Sequence, residues 1–313
     1  MTFVLLATLL GQAAGALQLP PGHPPLVAAA PATYVPERVF DTRRAAFGDF
    51  EQMLADLARA DVVLVGEQHD DPNTHRLEAA ILQGLARRRV KVGVSLEMFE
   101  RDVQARLDAY LAGSIDEDVF LSDSRPWPRY ATDYRSLVEM AKAQHWRVTA
   151  ANVPRRLASD VSKSGKSLLD NLAAADKAFV ARELKCPADD GYYHRFAEQM
   201  GEHPASGQTE EKAAADAKAR LERFYWAQCL KDETMAESIV SAFEKQAGPG
   251  TVVHFTGAFH SDFGEGTAER VRRRLPGRRV AVVSIVPVED VDSLAPEGDD
   301  LKRAEYLVYT ISR

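Results

Sequence analysis

Val62-Val63-Leu64-Val65-Gly66-Glu67-Gln68-His69-Asp70-Asp71 decides how this chain is read. Four aliphatic residues in a row, closed by glycine, fit a short strand buried on both faces, as in a parallel sheet. The run then turns abruptly polar. Working outward, residues 75–89 place Leu77, Ala80, Ile81 and Leu85 at helical spacing. Val90 to Leu96 forms a second strand, 101–112 a helix closed by Gly113, 133–144 another helix, and Trp146 to Ala151 a third strand. Thr251–Thr256, helix 267–275, Val280–Val288 and Tyr306–Ile311 continue the rhythm. Strands alternating with helices imply an α/β fold: a mostly parallel central sheet flanked by helices. Residues 155–245 break the alternation. They are helix-like and read as a helical insertion, or cap, with an irregular loop at 186–208.

The chain has 313 residues, 45% hydrophobic and 27% charged, with a net charge of −7. This is a globular composition without the basic face of a nucleic-acid binder. The one basic cluster, Arg272 to Arg274 with Arg278 and Arg279, sits at a helix end, where cations complement the dipole. Residues 3–10, FVLLATLL, followed by Ala14-Gly15-Ala16, read as a signal peptide over 1–16, although no Lys or Arg precedes the apolar run. The run is shorter than a membrane-spanning helix needs. The expected organisation is therefore an exported protein of the periplasm or cell envelope: a Pro/Ala-rich linker over 17–37, then one domain over 38–313. Membrane association is left open. In an oxidising compartment the two cysteines, Cys186 and Cys229, are expected to pair.

Ligands of open α/β sheets bind beyond the carboxyl ends of the strands. There the sequence delivers Glu67 and His69 after the first strand, Glu97 after the second, Asn152 and Arg155 after the third, and His260 after the fourth. A carboxylate following six apolar residues is costly to bury without a partner. Singly, each residue has an ordinary explanation: Glu67 capping a helix, Glu97 pairing with Arg101 or Arg155. Together they form a site. Imidazole and carboxylate are suitable ligands for zinc or a similar divalent ion. In that version His69 and His260 bind metal, one of Glu67 and Glu97 completes the shell, and the other activates water with its pKa raised by burial. Asn152 and Arg155 would orient the set. Asp70, Asp71 and Asn73, Asn73 first, are expected to cap the following helix, and His254, inside the fourth strand, to be buried and hydrogen-bonded.

These segments, with Ala150-Ala151-Asn152-Val153-Pro154-Arg155, Asp232-Glu233-Thr234-Met235-Ala236 and Gly257-Ala258-Phe259-His260, resemble the ChaN-like family of the Tiki superfamily over roughly residues 40–285. The resemblance implies an exported haem-binding protein of haem and iron uptake, a homodimer pairing two haems, and iron ligated by tyrosine. Its two G-x-x-H motifs are Gly66–His69 and Gly257–His260. Members related to the family more distantly imply the alternative of a metal-dependent hydrolase acting on a peptide or ester. No motif fixes the haem tyrosine; Tyr192 and Tyr193 are the first choice, with Tyr130 and Tyr134 as alternatives.

Overall fold

A computed structural model describes residues 34–89, 91–200, 210–246 and 248–312. The expected signal peptide, most of the linker, and His23 and His203 lie outside the described residues. Eight strands form one sheet: β1 (Glu37–Asp41), β2 (Ala46–Gly48), β3 (Val62–Glu67), β4 (Val92–Glu100), β5 (Val148–Asn152), β6 (Thr251–Gly257), β7 (Val280–Val288) and β8 (Tyr306–Ile311). Their order is β2-β1-β8-β7-β3-β6-β4-β5. The six strands from β3 to β8 run parallel, and β1 and β2 add antiparallel pairings at one edge. That α/β architecture is the one expected.

The period of two along a strand sorts the core into two layers. Val63 and Val65 face a cluster with Leu54, Ile81, Leu96, Leu137 and Phe255. Val62 and Leu64 face the opposite one, with Ala236, Ile239, Val271 and Val282. β3 lies between β7 and β6, buried from both faces along its whole length, which is why its sequence shows no polar alternation.

Four expectations are corrected. The antiparallel pair at β1 and β2 goes beyond what the sequence shows: β2 is three residues long and lies on the exposed side, too short for a periodic signal. β1 begins at Glu37, inside the expected linker. The segment 155–245 is not wholly a cap, because helix Glu210–Glu244 packs on β4, β5 and β6 as the crossover between β5 and β6. Its Ala236, Ile239 and Val240 belong to the second core layer. Finally, Gly191–Met200 within the expected loop is a helix, burying Tyr192 and Phe196 against Tyr225 of the long helix. A disulfide joins Cys186 to Cys229, fastening the chain just before that helix to the long one. Among the described residues no helix is long and apolar enough to cross a membrane.

Candidate functional site

β3, β6 and β4 are neighbours in the sheet, and their carboxyl ends bring the four expected residues to one edge. Glu67, the last residue of β3, pairs in register with Gly257, the last of β6. The chain after β6 turns tightly over β3. A Cβ added at Gly66 would lie 2.7 Å from the Ser261 Oγ, closer than real Cβ atoms approach, and 3.0 Å from the Ala258 Cα, so a side chain there would push the turn away.

Two carboxylate–imidazole pairs flank Gly257. In the first, Glu67 Oε1 lies 2.5 Å from His69 Nδ1 and accepts a hydrogen bond from the Tyr134 hydroxyl at 3.0 Å. In the second, Asp232 of the long helix holds His260 Nδ1 at 2.7 Å, leaving His260 Nε2 3.4 Å from Glu97 Oε1. Glu97 Oε2 accepts from the Thr256 hydroxyl at 2.6 Å and the Gly257 N–H at 2.8 Å. His69 Nε2 and Glu97 Oε2 lie 2.7 and 3.8 Å from the position a Cβ on Gly257 would take, so the absent side chain leaves the gap between the pairs open. Glu67, Glu97, Asp232 and His260 are buried, whereas the His69 side chain is 42% exposed, edge-on to Trp127.

The charges follow from these contacts. Burial alone would raise Glu67 and Glu97. The His69 and His75 imidazoles beside it outweigh that and hold Glu67 down at about 2. The charge and hydrogen bond of His260 hold Glu97 well below the usual carboxylate range. This corrects the expected raised glutamate: both are strong anions with imidazole partners, not protonated acids. Burial disfavours the His260 cation, but Glu97 and Asp232 hold its pKa at about 10. His69 is raised for the same reason by Glu67. His254 follows the opposite course. Burial pushes it down to about 4, and its Nδ1 bonds Ser95 Oγ at 3.0 Å, as expected of a structural histidine.

Other expected residues fall elsewhere. Asn152 turns its side chain back on the Val153 N–H, and Arg155 lies largely in solvent, its Nε 3.8 Å from Glu100 Oε1, so neither touches the four. The helix cap is Asp71, which accepts from the N–H groups of Asn73 and Thr74; Asn73 instead donates to the Ile311 carbonyl. Tyr192 is buried and donates to Asp232 Oδ2 at 2.6 Å, a link that ties it to His260 rather than to the surface. Tyr193 beside it is half-buried. Sequence reasoning missed Asp232, His75 and Glu78. Asp232 stands in the quoted Asp232–Ala236 motif, but on a helix, 28 residues before the His260 it serves. His75 and Glu78 share one helix face at i, i+3 spacing, a signal that was available.

The family model described as "Haem-binding uptake, Tiki superfamily, ChaN" matches residues 53–271. The chain belongs to the ChaN family. A solved relative, described as cofacial heme binding to ChaN of Campylobacter jejuni, superposes with a TM-score of 0.60 at 17% identity, covering 88% of this chain and 96% of that one, which is a likeness of fold. This ChaN family member is also 24% identical over 280 residues to Protein RETICULATA-RELATED 5, chloroplastic, of Arabidopsis thaliana. The match covers 85% of this chain and 36% of the plant protein, so the chain spans about a third of that relative's length.

Proposed function

We propose that this chain is an exported haem-binding protein serving haem or iron uptake. Membership of the ChaN family across residues 53–271 is the observation that carries this reading. The disulfide between Cys186 and Cys229 supports an oxidising compartment such as the periplasm. The residues fit a porphyrin on the face formed by helices Gly191–Met200 and Glu210–Glu244. There half-buried Tyr193, Leu221 and Phe224 pack over buried Tyr192, Phe196 and Tyr225. Tyr192 already serves Asp232, so Tyr193 is our iron ligand of choice. Cofacial binding, named for the Campylobacter jejuni relative, is extended here to a homodimer pairing two haems. Titrating the full chain with haemin should give a saturable Soret shift that Tyr193→Phe alters. No spectral change in the wild type would overturn the reading.

One observation favours a second role, metal-dependent hydrolysis. Each histidine has its Nδ1 held by a buried carboxylate, with His260 Nε2 left 3.4 Å from Glu97 Oε1 and His69 Nε2 left against Gly257, the way ligand histidines are oriented around zinc. In this reading His69, His260 and Glu97 would hold the ion, and Glu67 and Asp232 orient the imidazoles. A zinc ion bound there would supply an acidified water. Ester or peptide hydrolysis abolished by a chelator and by His260→Ala would support it; turnover indifferent to both would refute it.

A further inference from the structure

Beneath the His69 edge lies a second buried group, of which only Glu67 enters the hydrolase reading. His75, Glu78 and Glu67 are all buried. His75 Nδ1 faces Glu78 Oε2 at 3.0 Å and Glu67 Oε2 at 3.2 Å. One ligand-type atom from each of the three lies within 4.8 Å of the others, the one His, Asp or Glu group among the described residues that closes so tightly.

The hydrogen bonding inside this group leaves two carboxylate oxygens without an N–H or hydroxyl donor. His75 Nε2 lies 3.2 Å from the His69 carbonyl, which only accepts, so Nε2 carries a proton. Nδ1 then faces two carboxylates with at most one proton of its own to give. Glu67 Oε2 and Glu78 Oε1 are both buried without a hydrogen-bond partner. An unsatisfied buried acceptor costs free energy, and a buried carboxylate more than a neutral group. Burial and the charge of Glu67 push the Glu78 carboxyl well up, so it holds a proton that a single cation between the three ligand atoms would replace.

We propose that Glu67, His75 and Glu78 form a binding site for one divalent transition-metal ion of the zinc class. One imidazole and two carboxylates suit zinc better than calcium or magnesium, which prefer oxygen ligands alone. Glu67 would be shared, with Oε2 on the ion and Oε1 on His69, so the site lies directly under the exposed imidazole. It shares Glu67 with the hydrolase reading but uses neither Glu97 nor His260, so substitutions at His260 separate the two sites.

The test uses the full chain stripped with chelator and reloaded with Co2+, whose visible bands report tetrahedral nitrogen and oxygen ligation, and with Zn2+ followed by calorimetry. The wild type should bind, and His260→Ala should keep this equivalent. Glu78→Gln, which preserves shape, should weaken Zn2+ binding at least tenfold or lose one equivalent. His75→Gln, checked for folding by circular dichroism, should behave alike and serves if Glu78→Gln does not fold. A wild type that holds no Co2+ or Zn2+, or Glu78→Gln and His75→Gln proteins that bind like the wild type, would overturn the proposal. Loss in His260→Ala alone would assign the ion to the His69–His260–Glu97 edge and overturn it as well.

Discussion

Replacing Asp232 by Asn tests how the site is held together. Asp232 is fully buried and accepts three hydrogen bonds: from His260 Nδ1 at 2.7 Å, the Thr267 hydroxyl at 2.8 Å and the Tyr192 hydroxyl at 2.6 Å. A carboxylate offers acceptors to all three. An amide presents an NH2 group to one of them and removes the charge. Breaking a buried ion pair costs roughly 3–5 kcal/mol, because the stranded partner stays buried. We therefore expect Asp232→Asn to lose about 3–5 kcal/mol of stability at pH 6. The His260 pKa should fall from about 10 toward the ordinary imidazole value, with Glu97 alone left to support the cation.

The pH dependence gives the sign. The folded pKa of His260 lies above its unfolded value of about 6.5. Its contribution is therefore complete below pH 6.5 and is lost as pH rises toward 10. At about 1.36 kcal/mol per pKa unit the ceiling is about 5 kcal/mol across that window. His75, also near 10, adds a similar slope but is unchanged by the substitution, so the difference between the two proteins isolates His260. Urea unfolding of the metal-free proteins at pH 6, 8 and 9.5, with NMR titration of the imidazole, measures both effects. A variant within about 1 kcal/mol of the wild type at pH 6, with the same slope from pH 6.5 to 10, would refute the account.

Two further outcomes follow from the same geometry. Reducing the Cys186–Cys229 bond, whose partners are 43 residues apart, should cost about 4 kcal/mol by the loop-entropy relation. Denaturant midpoints with and without reductant check this, and unchanged midpoints would contradict it. Gly257→Ala should push the His69 ring off Glu67, since the new Cβ would lie 2.7 Å from His69 Nε2 and that side chain is free to swing outward. Stability should stay within about 1 kcal/mol of the wild type. The raised His69 pKa should drop by NMR, and an unaltered His69 titration would show that the ring does not occupy this gap.

The parts of the fold legible in the sequence are those where one physical signal dominated. β3 is a bare aliphatic run because both faces are buried, and Glu67 stands out because a carboxylate directly follows that run. β2 left no trace, since three exposed residues carry no periodicity, and the long helix was mistaken for part of a cap because its first half is charged while Ala236 and Ile239 cover the sheet only later. The site shows the same division. Reading strand ends alone finds the groups that converge along the sheet, Glu67, Glu97 and His260, because topology brings neighbouring strands to one edge. It cannot find Asp232, which reaches His260 from a helix, or decide the protonation of Glu67. Burial by itself predicts a raised carboxyl, and the opposite result depends on how many imidazoles lie within hydrogen-bond reach. Since both histidines are held at Nδ1 by a buried carboxylate, Glu67 and Asp232 act alike although they come from unrelated elements. That equivalence follows from distances that no spacing in the chain encodes.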